Sequence, residues 1–204
     1  MPVDRKAGAR GDLPLQPGDL LLVVDVQNDF LPGGRLAVHR GDEVVPVLNE
    51  YIARFVARGL PVLAARDWHP PDHCSFDAQG GRWPQHCVAG TPGADFAPGL
   101  RLPPIVCVIA KASRADQEAY SAFAGTELAE LLRQRGISRL FVGGLATDYC
   151  VVNTVRDALA AGFGVVVLTD AVRPVDLQPG DGERALARMS ALGARLVHLD
   201  ELPA

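Results

Sequence analysis

The chain of 204 residues is 48% hydrophobic, carries a net charge of −4 and has a pI near 5.7, which is length enough for one domain with a real core. It has no cluster of Lys or Arg that could meet a phosphate backbone, so its composition argues against a nucleic-acid partner and for a small-molecule one. No apolar run approaches the ~20 residues of a membrane span, and Met1 to Gly18 lacks the apolar centre of a signal peptide, so a cytoplasmic protein without membrane contact is expected.

In chain order, residues 1–17 read as a loosely ordered arm and residues 18–204 as a single domain. Asp19 to Asp25 is too continuously apolar for a strand with one wet face. Pro61 to Ala65, Ile105 to Ala110, Arg139 to Gly143, Val165 to Thr169 and Arg195 to Leu199 share that character, and all six suit strands buried on both faces. Between them Val44, Val45, Leu48, Ile52, Phe55 and Val56 recur at helical spacing up to Gly59, and Leu128, Leu131 and Leu132 do so before Gly136. Two further helices are expected over Cys150 to Ala161 and Asp181 to Leu192. Such alternation predicts an α/β fold of three layers, α/β/α, around a six-stranded, mostly parallel, doubly wound sheet with ligands at the carboxyl ends of its strands. One segment breaks the rhythm. Arg66 to Pro104 is proline-rich and aperiodic, and it holds both tryptophans and three of the five histidines. A long loop of this kind inside a compact domain is functional more often than not.

Three strand ends carry chemistry. Asp25 closes the first apolar run and Lys111 the third, while Cys150 stands where the fourth run gives way to a helix. Asp25 is a candidate base, although an Asp after a strand also serves as a turn cap. Lys111 needs a carboxylate partner if it is buried. For Cys150, the unpaired N–H groups of a helix start and a nearby ammonium both favour thiolate over thiol. A carboxylate, an ammonium and a thiol in one crevice suit amide hydrolysis through a covalent intermediate. Cys107, inside a strand, reads as a buried apolar filler. With no CxxC pair the four cysteines are expected as thiols. Asp67 and His69, two apart in an extended segment, can present O and N ligands to one ion, with a third ligand from the loop: His86, or its rivals His73 and Cys87. An Asp/His/His set with open water positions suits Zn²⁺, Fe²⁺ or Mn²⁺. His39 and His198 lie outside this cluster. Asp29 and Asp148 read as capping residues.

The stretches Asp25-Val26-Gln27-Asn28-Asp29-Phe30, Asp67-Trp68-His69-Pro70, Trp83-Pro84-Gln85-His86-Cys87, Lys111 with Tyr120-Ser121-Ala122-Phe123, and Gly144-Leu145-Ala146-Thr147-Asp148-Tyr149-Cys150 together resemble the successive signatures of the nicotinamidases (pyrazinamidases) within the isochorismatase-like hydrolases. The resemblance runs from Asp19 to Leu199. It implies conversion of nicotinamide to nicotinate and ammonia in NAD salvage, with pyrazinamide as a further substrate. It also implies roles: Cys150 as nucleophile, Asp25 as proton shuttle, Lys111 holding the charged pair, and one divalent ion at Asp67, His69 and His86. Phe30 and Trp83 then resemble the walls around the flat ring. Leu145-Ala146 resembles the family's cis peptide, with the Ala146 and Cys150 N–H groups forming the oxyanion hole. A metal-independent relative acting on a carbamoyl or ureido substrate needs only Asp25, Lys111 and Cys150. This chain departs from the family at Ala112-Ser113, where Gly-Thr or a similar small pair is usual, and over Arg114 to Ala119, which leaves substrate breadth open. A homo-oligomer is compatible with the composition, which does not decide the oligomeric state.

Overall fold

A computed structural model describes residues 13–203. Six strands form one sheet: β1 (Asp19–Val24), β2 (Val62–Asp67), β3 (Cys107–Lys111), β4 (Arg139–Leu145), β5 (Gly164–Arg173) and β6 (Arg195–Val197). Their order is β3-β2-β1-β4-β5-β6, and every pairing is parallel. Four helices cover the two faces: α1 (Val44–Ala57), α2 (Leu128–Gln134), α3 (Val152–Ala160) and α4 (Asp181–Ala191).

The continuous apolar character of β1 follows from its place at the centre of this sandwich. Leu21 and Val23 join the core under α1, beside Leu48, Tyr51, Phe55 and Phe141. Leu20, Leu22 and Val24 join the opposite core with Leu128 of α2, Val155 of α3 and Met189 of α4. Alternate residues thus enter two cores, each fully buried large side chain adding roughly 1.5–3 kcal/mol. α1 buries Val44, Leu48, Tyr51, Ile52 and Phe55, one stripe at helical spacing, and stops where Gly59 takes a positive φ of 65°.

The expectation of two buried faces holds for the central strands and fails at the rim. β3 has only β2 as a neighbour, its residues before the buried Lys111 alternate between half-buried and exposed, and the nearby Ile105 is 98% exposed. Cys107, expected as buried filler, is half-buried for the same reason. Of the segment read as a loose arm, residues 1–12 lie outside the described residues. Leu13 is buried in the core, and its N–H donates to Glu201 O at 2.8 Å.

The chain runs outward from β1 through β2 to β3, then returns to place β4 on the other side of β1. The crevice for ligands opens at this reversal, beyond the carboxyl ends of β1 and β4. Gly144 makes the junction close. Its φ is 124°, and a Cβ there would strike the Val24 backbone of β1.

Candidate active site

Strand register accounts for half of the site. Parallel pairing sets Asp67, the last residue of β2, opposite Lys111, the last of β3, while Val24 pairs with both Ala65 and Gly144 and leaves Asp25 at the neighbouring strand end. Lys111, 1% exposed, directs Nζ to Asp67 Oδ1 at 2.5 Å and Asp25 Oδ2 at 2.9 Å, with Ala119 O at 3.4 Å and Cys150 Sγ at 3.5 Å. Burial alone would drive off its proton; the two carboxylates outweigh that and hold its pKa well above the ordinary value. The expected carboxylate partner is therefore present twice.

Cys150 stands on a wide turn of π-helix, Thr147–Val151, that runs directly into α3. A carboxylate oxygen of Asp25, one of Asp67 and Cys150 Sγ lie within 4.8 Å of one another. Asp25 occupies left-handed backbone at φ 51° and its oxygens carry no aligned hydrogen bond, so its contact with Lys111 is an ion pair alone. Burial raises the Asp25 pKa to about 7, against the pull of Lys111. The expectation that the helix start and Lys111 favour thiolate over thiol at Cys150 is outweighed here. Burial pushes the Cys150 thiol well above its usual range, Lys111 only partly opposes this, and Asp25 and Asp67 push it further. The resting group is a thiol beside the Asp25 carboxyl, which is the more acidic of the two.

The second half of the site combines one strand end with the irregular loop. Asp67, His69 and His86 are all buried, and one ligand atom from each lies within 4.8 Å of the others. His69 Nδ1 is 3.0 Å from His86 O and His86 Nδ1 is 2.7 Å from Pro84 O. A carbonyl can only accept, so each ring donates from Nδ1 and its Nε2 keeps the lone pair that a metal needs. Burial lowers the His69 pKa to about 4, which keeps the ring neutral at pH 7. At Asp67 burial acts upward, but Lys111, with His69, holds the carboxyl below its ordinary value. One carboxylate and two imidazoles whose Nε2 those Nδ1 bonds leave free fit a divalent cation. Of the rivals, His73 lies beside His69, with ring centroids 4.3 Å apart, but is engaged otherwise. His73 Nδ1 faces Ser75 Oγ at 2.7 Å and accepts from Ser75 N–H at 3.2 Å, while its Nε2 donates to Gln117 O at 3.1 Å, so both ring nitrogens are in use. Cys87 is buried in the core under α1. His39 and His198 are exposed.

Two residues hold this loop that the sequence did not mark as clamps. Gln27, fully buried, donates from Nε2 to Asp67 O at 2.8 Å and Ala94 O at 2.9 Å, and its Oε1 accepts from Asp67 N–H at 2.8 Å. Asp29, read as a cap, accepts from Cys87 N–H at 2.7 Å and from Arg35 N–H at 3.2 Å. The Cys87 bond pins a residue of positive φ, 47°, directly after His86. Asp148 is likewise corrected: its two oxygens accept from Val175 and Asp176 N–H, both at 2.9 Å, and make no side-chain cap on the helix. It ties the helix start to the segment after β5.

Cys150 opens on a cleft lined also by Phe30, Trp83, Tyr120, Tyr149 and Ala146 and by Asp67, His69 and His86. Trp83 Nε1 donates to Tyr120 Oη at 3.0 Å, and Tyr149 meets the Trp83 ring edge-on at 5.1 Å. Aromatic walls and a few convergent polar groups suit a small flat ligand. The Leu145-Ala146 peptide is cis, as the resemblance implies. All four cysteines are free thiols, and no helix among the described residues is long and apolar enough to cross a membrane.

Residues 19–201 match the isochorismatase domain model. The chain is 43% identical over 204 residues to a nicotinamidase of Escherichia coli (strain K12), spanning 90% of this chain and 96% of that one. A pyrazinamidase of Pyrococcus horikoshii, solved in complex with zinc, superposes with a TM-score of 0.86 at 48% identity, covering 90% of this chain and 100% of the other. An L. infantum protein solved in complex with nicotinate gives a TM-score of 0.87 at 36% identity, covering 95% and 99%. With a parallel six-stranded sheet, a thiol, ammonium and carboxylate at its strand ends, and a match over nearly its full length, the chain belongs to the isochorismatase family.

Proposed function

We propose that the protein is a cytoplasmic, metal-dependent cysteine amidohydrolase that converts nicotinamide to nicotinate and ammonia in NAD salvage, with pyrazinamide as a second substrate. The observation that carries this reading is the single buried ammonium of Lys111. It touches Asp25 and Cys150 on one side and Asp67, a member of the Asp67/His69/His86 set, on the other. Nucleophile and ring-binding groups are thereby fixed at one distance from each other. The nicotinamidase of E. coli and the zinc-bound pyrazinamidase of P. horikoshii support the substrate and the ion.

Asp25 takes the thiol proton as Cys150 Sγ attacks the carboxamide carbon. The N–H groups of Ala146 and Cys150 receive the oxyanion. The C–N bond breaks as Asp25 returns that proton to the departing amine, leaving a thioester and ammonia. Asp25 then takes a proton from water as its oxygen attacks the thioester. The C–S bond breaks, Cys150 recovers a proton and nicotinate leaves. Lys111 remains protonated throughout and keeps Asp25 and Cys150 in register. Phe30 and Trp83 hold the ring flat, which presents its carboxamide to sulfur. Asp67, His69 and His86 would hold one divalent ion, zinc or in its place iron(II) or manganese(II), which when bound supplies a Lewis-acidic anchor for the pyridine nitrogen.

Ammonia release from nicotinamide, pyrazinamide and a ureido compound, with and without chelator, tests the reading. Hydrolysis of the two ring amides should fall on chelation and return on adding zinc, iron(II) or manganese(II). Activity that survives full chelation, or is confined to the ureido compound, would overturn it in favour of the metal-independent alternative.

A further inference from the structure

The segment from Gln117 to Tyr120 borders the site, with Glu118 and Tyr120 lining the cleft, and makes a contact at each residue. Gln117 O accepts from His73 Nε2, Ala119 O faces Lys111 Nζ, and Tyr120 Oη accepts from Trp83 Nε1. Glu118 sits in the middle of this strap and lines the cleft with His69, His86 and Cys150. One of its carboxylate oxygens lies within 4.8 Å of ring nitrogens of both His69 and His73. Its Oε1 accepts from Ala119 N–H at 3.0 Å, and among the described residues no Lys or Arg pairs with it. Among the described residues no Lys or Arg neutralises this charge at the rim, and the buried set below it already counts two carboxylates, Asp25 and Asp67, to the one ammonium of Lys111. The reaction proposed above turns a neutral ring amide into a ring carboxylate, so a fixed negative charge at the mouth distinguishes substrate from product.

We propose that Glu118 sets the charge preference of the cleft, admitting neutral pyridine carboxamides and disfavouring pyridine carboxylates, so that the acid formed at Cys150 is expelled rather than retained. The inference rests on the ring-amide reading of the site but is tested by binding. Two carboxylates closer than a Debye length at a protein surface repel enough, after allowance for salt, to change an affinity by about tenfold.

The test titrates the zinc-loaded protein calorimetrically with nicotinate and with 3-acetylpyridine, a neutral ring ketone that has no amine to lose. In Glu118→Gln the affinity for nicotinate relative to 3-acetylpyridine should rise about tenfold at low ionic strength, and the gain should shrink in high salt. Glu118→Asp, which keeps the charge, should hold the ratio within about twofold of the parent. An unchanged ratio in Glu118→Gln, or an equal change in Glu118→Asp, would overturn the proposal. Because neither probe is turned over, a failure of nicotinamide hydrolysis in the parent protein is seen separately, by ammonia release.

Discussion

The two halves of the site are held by different means. Asp25, Lys111 and Cys150 stand at the ends of β1 and β3 and at the turn into α3, where sheet register fixes them and buried ion pairs complete the fit. Of Asp67, His69 and His86 only the first belongs to a strand; the others ride on irregular backbone held by two buried side chains, Gln27 and Asp29. Chemistry on strand ends therefore fails by losing a charge partner, and chemistry on the loop fails by losing a clamp.

Lys111→Met breaks the first half most severely. It leaves Asp25 and Asp67 as uncompensated buried carboxylates, which should cost about 3–5 kcal/mol of stability, read by denaturant titration. The same change should lower kcat/KM by about 10³ through loss of the proton-transfer geometry. Gln27→Leu attacks the second half without touching a ligand. It frees the end of β2 from the loop, and competition with a chelator should show metal affinity weakened by about 10–100-fold. Comparable metal affinity in that variant would mean that strand register alone holds Asp67, and the contrast between the halves would fall.

The pH profile separates the halves again. Asp25 must be a carboxylate to accept the thiol proton, and burial places its pKa at about 7. Below that value the protonated form dominates, so kcat/KM should drop about tenfold for each unit of pH and level off above it. His69, lowered to about 4, stays neutral through this range, so zinc content should not follow the same curve. A smaller effect tests the junction after β3. Ala112 holds a positive φ of 51° at a position where the family usually has a small pair beginning with Gly. Left-handed backbone disfavours any residue with a Cβ, so Ala112→Gly should raise stability by roughly 0.5–1 kcal/mol in thermal unfolding.

The framework was legible because continuous apolar runs have few places to go except the middle of a sandwich, as Leu20 to Val24 illustrate. The sequence could not tell a central strand from an edge, since β3 looks as apolar as β1 and differs only in having one neighbour. Asp25, Lys111 and Cys150 were visible as polar groups placed where apolar runs end. The protonation of Cys150 was not, because helix start and lysine are local signals whereas its burial is a property of the assembled core. Asp148 was misread for a related reason: the carboxylate that can cap a helix can equally accept from a distant loop, and only the fold brings Val175 and Asp176 to it. Gln27 stood inside the Asp25 to Phe30 signature, but its role as a clamp was not legible, since a buried amide clamp has no spacing of its own.

The central claim is that Cys150 performs the bond-breaking step while the ring is held by groups that do not include sulfur. Ammonia release and calorimetric nicotinamide binding by the zinc-loaded Cys150→Ala protein test it most directly. Hydrolysis should fall to background while nicotinamide still binds within a few-fold of the parent's KM. Substantial ammonia release by that variant would contradict the account.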